Sequence, residues 1–286
     1  MEYELLRFIT AFMTGFIFST SGSLLQWWTQ NPLADPTTMG ITVPAMVLWL
    51  ISSSLVSLGL ISDFYSGPIL LFIYLSLLTL IHIFFANFFY KKKVLVENTI
   101  LMGVAANLAL AAIFSLLQFL FMIQGKQLPS QILVAHFKFI NSEQVFLLLF
   151  LFLCVIIPSL WNLTKKLQLL LFGKEFLNGM LPAWKDWEKW VFLYLLFVSG
   201  VAIFLGGNFS FWGLIMPHFL RKFTIFKINL WKECIIGGFL AGLLLSSLDW
   251  ICYSYPIFGA EIPVGSVTAV LGPILLIYIL KKRLIS

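Results

Sequence analysis

The residues able to do chemistry form a few short runs set in long apolar stretches. Near the start stand Arg7, Gly15, Gly22, Gln26 and Asn31-Pro32-Leu33-Ala34-Asp35-Pro36; near the end stand Pro217-His218, Arg221, Asp249, Glu261 and Pro263. Asp249 lies inside an apolar segment, and a charge at the centre of a membrane span costs about 2.5–3.5 kcal/mol on insertion scales. It must therefore face other helices or a water-filled cavity. Two readings stand: a carboxylate bonded to backbone amides of a neighbouring helix, or a proton- or ion-coupling group, for which no second intramembrane acid answers it. Asn107 and Gln118, in another apolar segment, can hydrogen-bond across helices. His82, His136 and His218 are far apart and form no metal-ligand motif. Cys154, Cys234 and Cys252 lie in apolar segments without paired spacing, which reads as free buried thiols. No Gly-x-x-x-x-Gly-Lys loop is present to hold nucleotide phosphates. The acids and histidines are too scattered for a lipid-modifying enzyme, and no cofactor is implied.

The prolines mark corners. The residue before a proline is pushed out of the helical region, so Asn31 and Met216 are expected bend points. Backbone groups freed there need partners, which the Asn31 amide or the Asp35 carboxylate can supply.

The elements that position these residues are transmembrane helices. Of 286 residues, 60% are hydrophobic and 10% charged, against about 25% charged in a soluble domain. One polytopic all-α membrane domain, 1–286, is the economical reading. About nine apolar stretches approach the 17–25 residues of a span: Leu5–Trp28, Ile41–Ile61, Ile69–Phe89, Ile100–Ile123, Val145–Leu163, Trp190–Leu205, Phe209–Leu220, Cys234–Ser254 and Ile262–Leu280. The seventh is short and punctured by Pro217, which suits a broken or re-entrant helix. The first opens on Glu2 and Glu4 and ends on Gln26-Trp27-Trp28, unlike a cleavable signal peptide. Gly15, Ser19, Gly22 and Gln26 share one helical face, and Gly238 and Gly242 form a second small-residue pair, suited to close helix contact.

The net charge of +6 invites a nucleic-acid reading, but its placement fits a membrane. Alternate loops hold Lys91–Lys93, then Lys165, Lys166, Lys174, Lys185 and Lys189, then Arg221, Lys222, Lys227 and Lys232, then Lys281, Lys282 and Arg283; the opposite loops hold only Arg7, Lys126 and Lys138. The positive-inside rule puts the richer set in the cytoplasm, with the N-terminus outside and the C-terminus inside. The interval 164–189 then faces the cytoplasm; its amphipathic composition suits a surface loop or a docking surface for a partner. The loop 124–143 is external, expected partly helical and solvated.

At these residues a resemblance enters. Arg7, Gly15, Gly22, Gln26, the run Asn31–Pro36 and Gly40 are similar to the early signature of FecCD-type ABC importer permeases, which carry iron–siderophore complexes, haem or vitamin B12. Gly207–Arg221, with Pro217 and His218, resembles the family's second signature. Asp249, Glu261-Ile262-Pro263-Val264-Gly265, Thr268-Ala269 and Gly272-Pro273 resemble the third.

The resemblance implies a type II importer bundle, usually of ten helices; the family's first has no counterpart here. It implies a dimer with a second permease subunit, two cytoplasmic ABC ATPases, an extracellular or periplasmic solute-binding protein, and the cytoplasmic membrane of a bacterium. Arg7 corresponds to an outer basic residue that meets an acid of the binding protein; lipid-headgroup anchoring is the competing reading. Leu170, Phe172, Gly173, Glu175 and Leu177 correspond to the ATPase-coupling segment, and Val94, Val96, Glu97 and Asn98 to the inner gate region. The family's usual second outer Arg is Tyr253 here, and the first of its early Arg pair is Glu4. The expected cargo is an iron–siderophore complex or haem, with vitamin B12 as the alternative. An ion-coupled secondary transporter is the rival from another class.

Overall fold

A computed structural model describes residues 2–57, 77, 80, 96–125, 134–137, 142–173, 184–221, 229–257 and 259–285. Named here in chain order, the helices are α1 (Glu2–Thr29), α2 (Val43–Ser57), α3 (Val96–Ile123), α4 (Ser142–Leu151), α5 (Ile157–Leu167), α6 (Trp184–Gly206), α7 (Trp212–Leu220), α8 (Leu230–Ser254) and α9 (Val264–Ile285). A π-turn, Phe152–Ile156, joins α4 to α5, and a 3-10 turn, Gln168–Phe172, extends α5. These make eight helical rods among the described residues. The expected span Ile69–Phe89 lies outside them, apart from Leu77 and Leu80.

Among the described residues, three rods are long and apolar enough to cross a membrane: Glu2–Thr29, Ser142–Phe172 and Leu230–Ser254. At 1.5 Å per residue, α1 runs about 42 Å. It is buried over most of its length and packs against α6, α7 and α8. Its core face carries Met13, Ile17, Phe18, Leu24 and Leu25. Lipid contributes no hydrophobic drive between helices, so the bundle depends on close backbone approach. A Cβ on Gly15 would lie 2.7 Å from the Ala241 carbonyl oxygen of α8, and one on Gly242 would lie 2.7 Å from the Phe12 oxygen of α1. The two helices run antiparallel, since Arg7 meets Asp249 while Trp27 meets Glu233.

α7 has nine residues, about 13 Å, too short to span. The bend expected at Met216 is absent. Met216 lies inside α7, and the chain instead turns at Phe211, a left-handed residue with φ 65°. Pro217 sits sixth in the helix, where its missing N–H leaves the Gly213 carbonyl without its usual intrahelical donor. That oxygen packs on Gly22 of α1, so closely that a Cβ there would be 1.8 Å away. The Asn31 bend falls one residue early, at Gln30 with φ 54°.

The 124–143 loop also differs from expectation. Its segment 134–137 is extended, with Ala135 and Phe137 buried. The His136 amide donates to the Gly206 carbonyl at 3.0 Å and the Gly265 amide to the Ala135 carbonyl at 2.8 Å, pinning the segment between the end of α6 and the start of α9. Phe137 stacks on Phe209 with ring centroids 5.4 Å apart. Two apolar side chains and paired amides outweigh solvation of this stretch.

Candidate functional site

The signature residues gather at the two ends of the α1–α8 pair. At one end Arg7, on the second turn of α1, grips Asp249 of α8 with both edges of its fork: Nε donates to Oδ2 at 2.6 Å and Nη2 to Oδ1 at 3.0 Å. Nη1 donates to Glu261 Oε2 at 3.0 Å. The Tyr253 ring lies 4.6 Å from the guanidinium carbon. This bidentate geometry is the strong form of an Arg–carboxylate pair, and it answers the cost of placing Asp249 in a span. The partner of Asp249 is Arg7, in an ion pair, rather than backbone amides.

Arg7 is 4% exposed, its guanidinium engaged by Asp249 and Glu261. Glu261, with its side chain 33% exposed, is the acid of the cluster that reaches the surface.

At the other end Arg221, just past α7, repeats the arrangement on Glu233 of α8, with Nη2 to Oε1 at 2.6 Å and Nε to Oε2 at 3.1 Å. Its third donor, Nη1, bonds Gln26 Oε1 at 2.6 Å. Gln26 Nε2 donates to the Ala34 carbonyl at 3.2 Å, which ties the Asn31–Pro36 corner to α1. Trp27 Nε1 reaches Glu233 Oε2 at 3.4 Å. The corner closes on itself as well: Asn31 Oδ1 accepts from the Leu33 amide at 3.0 Å, and Asp35 Oδ2 accepts from the Thr37 amide and hydroxyl. Asp35 is wholly buried, and burial pushes its carboxyl above the usual range while the Thr37 bonds pull it down.

The His218 ring bonds within α7, with Nδ1 3.0 Å from the Leu214 carbonyl oxygen. Pro263 precedes α9.

Arg7 and Gln26 are separated by about 28 Å along α1, close to the roughly 30 Å hydrocarbon thickness of a bilayer. The Arg7 fork on Asp249 at one end, and Arg221 bridging Gln26 of α1 to Glu233 of α8 at the other, hold the register of α1 on α8, because a slip of one residue disrupts both links.

Glu233 was absent from the sequence expectations. The signal was available: it is the lone acid in 221–233, and it falls where the apolar stretch begins.

The segment expected to couple the ATPases lies partly within the described residues. Leu170 is 3% exposed and packs inward with Leu167, while Phe172 is 68% exposed. Three residues per turn put positions 167 and 170 on one inward face of the 3-10 turn. Gly173 ends the turn with φ 90° and open space about its Cα. Glu175, Leu177 and Val94 lie outside the described residues. Val96, Glu97 and Asn98 form the first turn of α3.

Comparison with known proteins decides what this arrangement belongs to. The FecCD transport family matches residues 1–282. The chain belongs to the FecCD transport family. Members are transporters rather than enzymes, and this chain is an ABC importer permease. A vitamin B12 import system permease protein of Klebsiella pneumoniae is 27% identical over 99% of this chain and 82% of its own length. One from Yersinia enterocolitica is 27% identical over 98% of this chain and 81% of its own length. A solved inward-facing structure described as of metal-chelate type superposes with a TM-score of 0.72 at 21% identity, over 97% of this chain and 85% of that one. That likeness shows the shared permease fold.

Proposed function

We propose that this FecCD permease carries a metal chelate across the cytoplasmic membrane of a bacterium, with an iron–siderophore complex or haem as cargo. The observation that carries the reading is the family match along nearly the whole chain. Vitamin B12, itself a cobalt chelate, is the second reading, favoured by the printed names of the relatives. The rest follows from the family reading. A second permease subunit completes the path, two ABC ATPases drive it from the cytoplasm, and a solute-binding protein delivers cargo outside. The N-terminus is outside and the C-terminus inside.

The Arg7 end is then the docking end. There Arg7 acts from behind, holding Glu261 at the rim. The Arg221 end is cytoplasmic, the side on which the 164–189 segment receives the ATPases. Phe172 and Gly173 supply the described contact surface, and Val96, Glu97 and Asn98 begin the inner gate. Transport works by differential stability of two packings, biased by the nucleotide state of the ATPases.

The test is uptake into liposomes holding the permease, its ATPase and its binding protein. Labelled iron–siderophore, haem and cyanocobalamin are offered in turn. Uptake of one of them that needs internal ATP supports the reading and names the cargo. Accumulation driven by a proton gradient without the ATPase would move the chain to the secondary transporters.

A further inference from the structure

At the Arg221 end, outside the signature network, the junction of α5 and α8 carries an aromatic and cationic cluster. Trp161 of α5 and Trp231 in the first turn of α8 meet edge to face, with ring centroids 4.5 Å apart. Trp161 is 41% exposed. Lys165, one turn beyond Trp161, lays its ammonium over that indole at 4.1 Å from the centroid. Lys232 follows Trp231 and is exposed. Trp231 lies within one turn of Glu233, so the cluster sits at the depth where the apolar stack of α1 and α8 ends. Tryptophan rings favour that depth in a bilayer.

The charges there are unanswered. Neither the Lys165 nor the Lys232 ammonium has a carboxylate partner among the described residues. The adjacent acid, Glu233, is buried and engaged by Arg221. A cation resting on an aromatic face is held in place, yet unlike one paired with a carboxylate it keeps its charge. Below the lysines the surface turns apolar. On α8, Ile236 and Leu240 follow Lys232 at four-residue spacing, and both are exposed; that spacing puts all three on one face. The result is a cationic head above an apolar ridge, the inverse image of an anionic phospholipid.

We propose that the α5–α8 junction binds an anionic phospholipid, its phosphate held by Lys165 and Lys232 and an acyl chain lying along Ile236 and Leu240. Trp161 and Trp231 form the wall at glycerol depth. A free phosphate ion would use the lysines and leave the ridge idle, so the geometry selects a lipid. The site depends on membrane residence and is independent of the cargo.

The test uses the full chain in vesicles of phosphatidylcholine and phosphatidylglycerol, either one brominated on an acyl chain. The readout is the part of the tryptophan quenching that disappears in Trp161→Phe. Brominated phosphatidylglycerol should quench at a lower mole fraction than brominated phosphatidylcholine. One basic residue near an anionic surface is worth about a fivefold change in binding, so Lys165→Gln and Lys232→Gln should each shift the midpoint by about that factor. Lys165→Arg should restore it. Both lysines are exposed, and size-exclusion profiles of the variants serve as the folding control. Equal quenching by the two lipids overturns the site, as does a preference that survives the double Lys→Gln variant. Loss of the preference to inorganic phosphate, but not to chloride at matched ionic strength, overturns the lipid assignment in favour of a free-anion site.

Discussion

Glu233 and Asp35 are both buried acids, but they depend on different things. Glu233 is inaccessible to solvent and bonds the Arg221 fork at 2.6 and 3.1 Å. Removing one member of a buried pair strands the other charge and costs about 3–5 kcal/mol, whereas replacing both by apolar groups of similar size is often neutral or stabilising. Glu233→Ala is expected to lower the unfolding temperature of the detergent-solubilised protein well below that of Arg221→Met/Glu233→Met. Equal losses in the two variants would show that the pair is not the unit holding this end. Asp35 is held by its own turn, and burial raises its carboxyl. A raised folded-state value means the folded protein holds this proton more tightly than the unfolded chain does. The contribution is thus present at acid pH and is lost as pH rises through the raised value. Asp35→Asn should flatten the pH dependence of stability above the ordinary carboxylate range of about 4. A wild-type stability that does not fall relative to the variant as pH rises toward neutral would contradict this.

Close helix contacts locate the element-scale vulnerability. Gly22 admits the Gly213 carbonyl that Pro217 leaves without its usual intrahelical donor, and a methyl there would overlap backbone at 1.8 Å. The obstruction is main chain on both helices, so no rotamer relieves it. Overpacking of a tight core costs about 1–3 kcal/mol, sometimes more, and Gly22→Ala is expected at or above the upper end, measured by denaturant titration in micelles. Gly173→Ala should differ: its Cα faces open space, and the cost comes only from the φ of 90°. If Gly22→Ala proves no more harmful than Gly173→Ala, the α1–α7 contact is looser than described. The stretches expected from hydropathy correspond to helices wherever the residues are described. Met216 and the 134–137 segment depart from expectation for one reason: a local proline or polar residue yields to what packs against it. Gly22 receives the Pro217-freed carbonyl, and Gly206 and Gly265 engage the 134–137 backbone.

At the scale of the whole molecule, transport needs motion at one end to reach the other. The segment proposed to receive the ATPases continues from the rod Ser142–Phe172, interrupted by the π-turn, where the Tyr194 hydroxyl donates to the Ile156 carbonyl at 3.1 Å. Proline cannot adopt the φ of 90° at Gly173, and nothing packs about that Cα. Gly173→Pro should therefore insert and fold while ATP hydrolysis by the partner ATPases no longer drives uptake. Undiminished uptake per ATP would remove this segment from coupling. The sequence by itself determined that the chain is an all-helical membrane permease of its family, because apolar spans are local in sequence and the motif residues recur in order. Tertiary structure alone decided the pairings of Arg7 with Asp249 and Arg221 with Glu233, the burial of Leu170 and the inward fold of 134–137. Those depend on which faces of distant helices meet, and in lipid that is set by close backbone contact and the pairing of buried charge, neither of which hydropathy encodes.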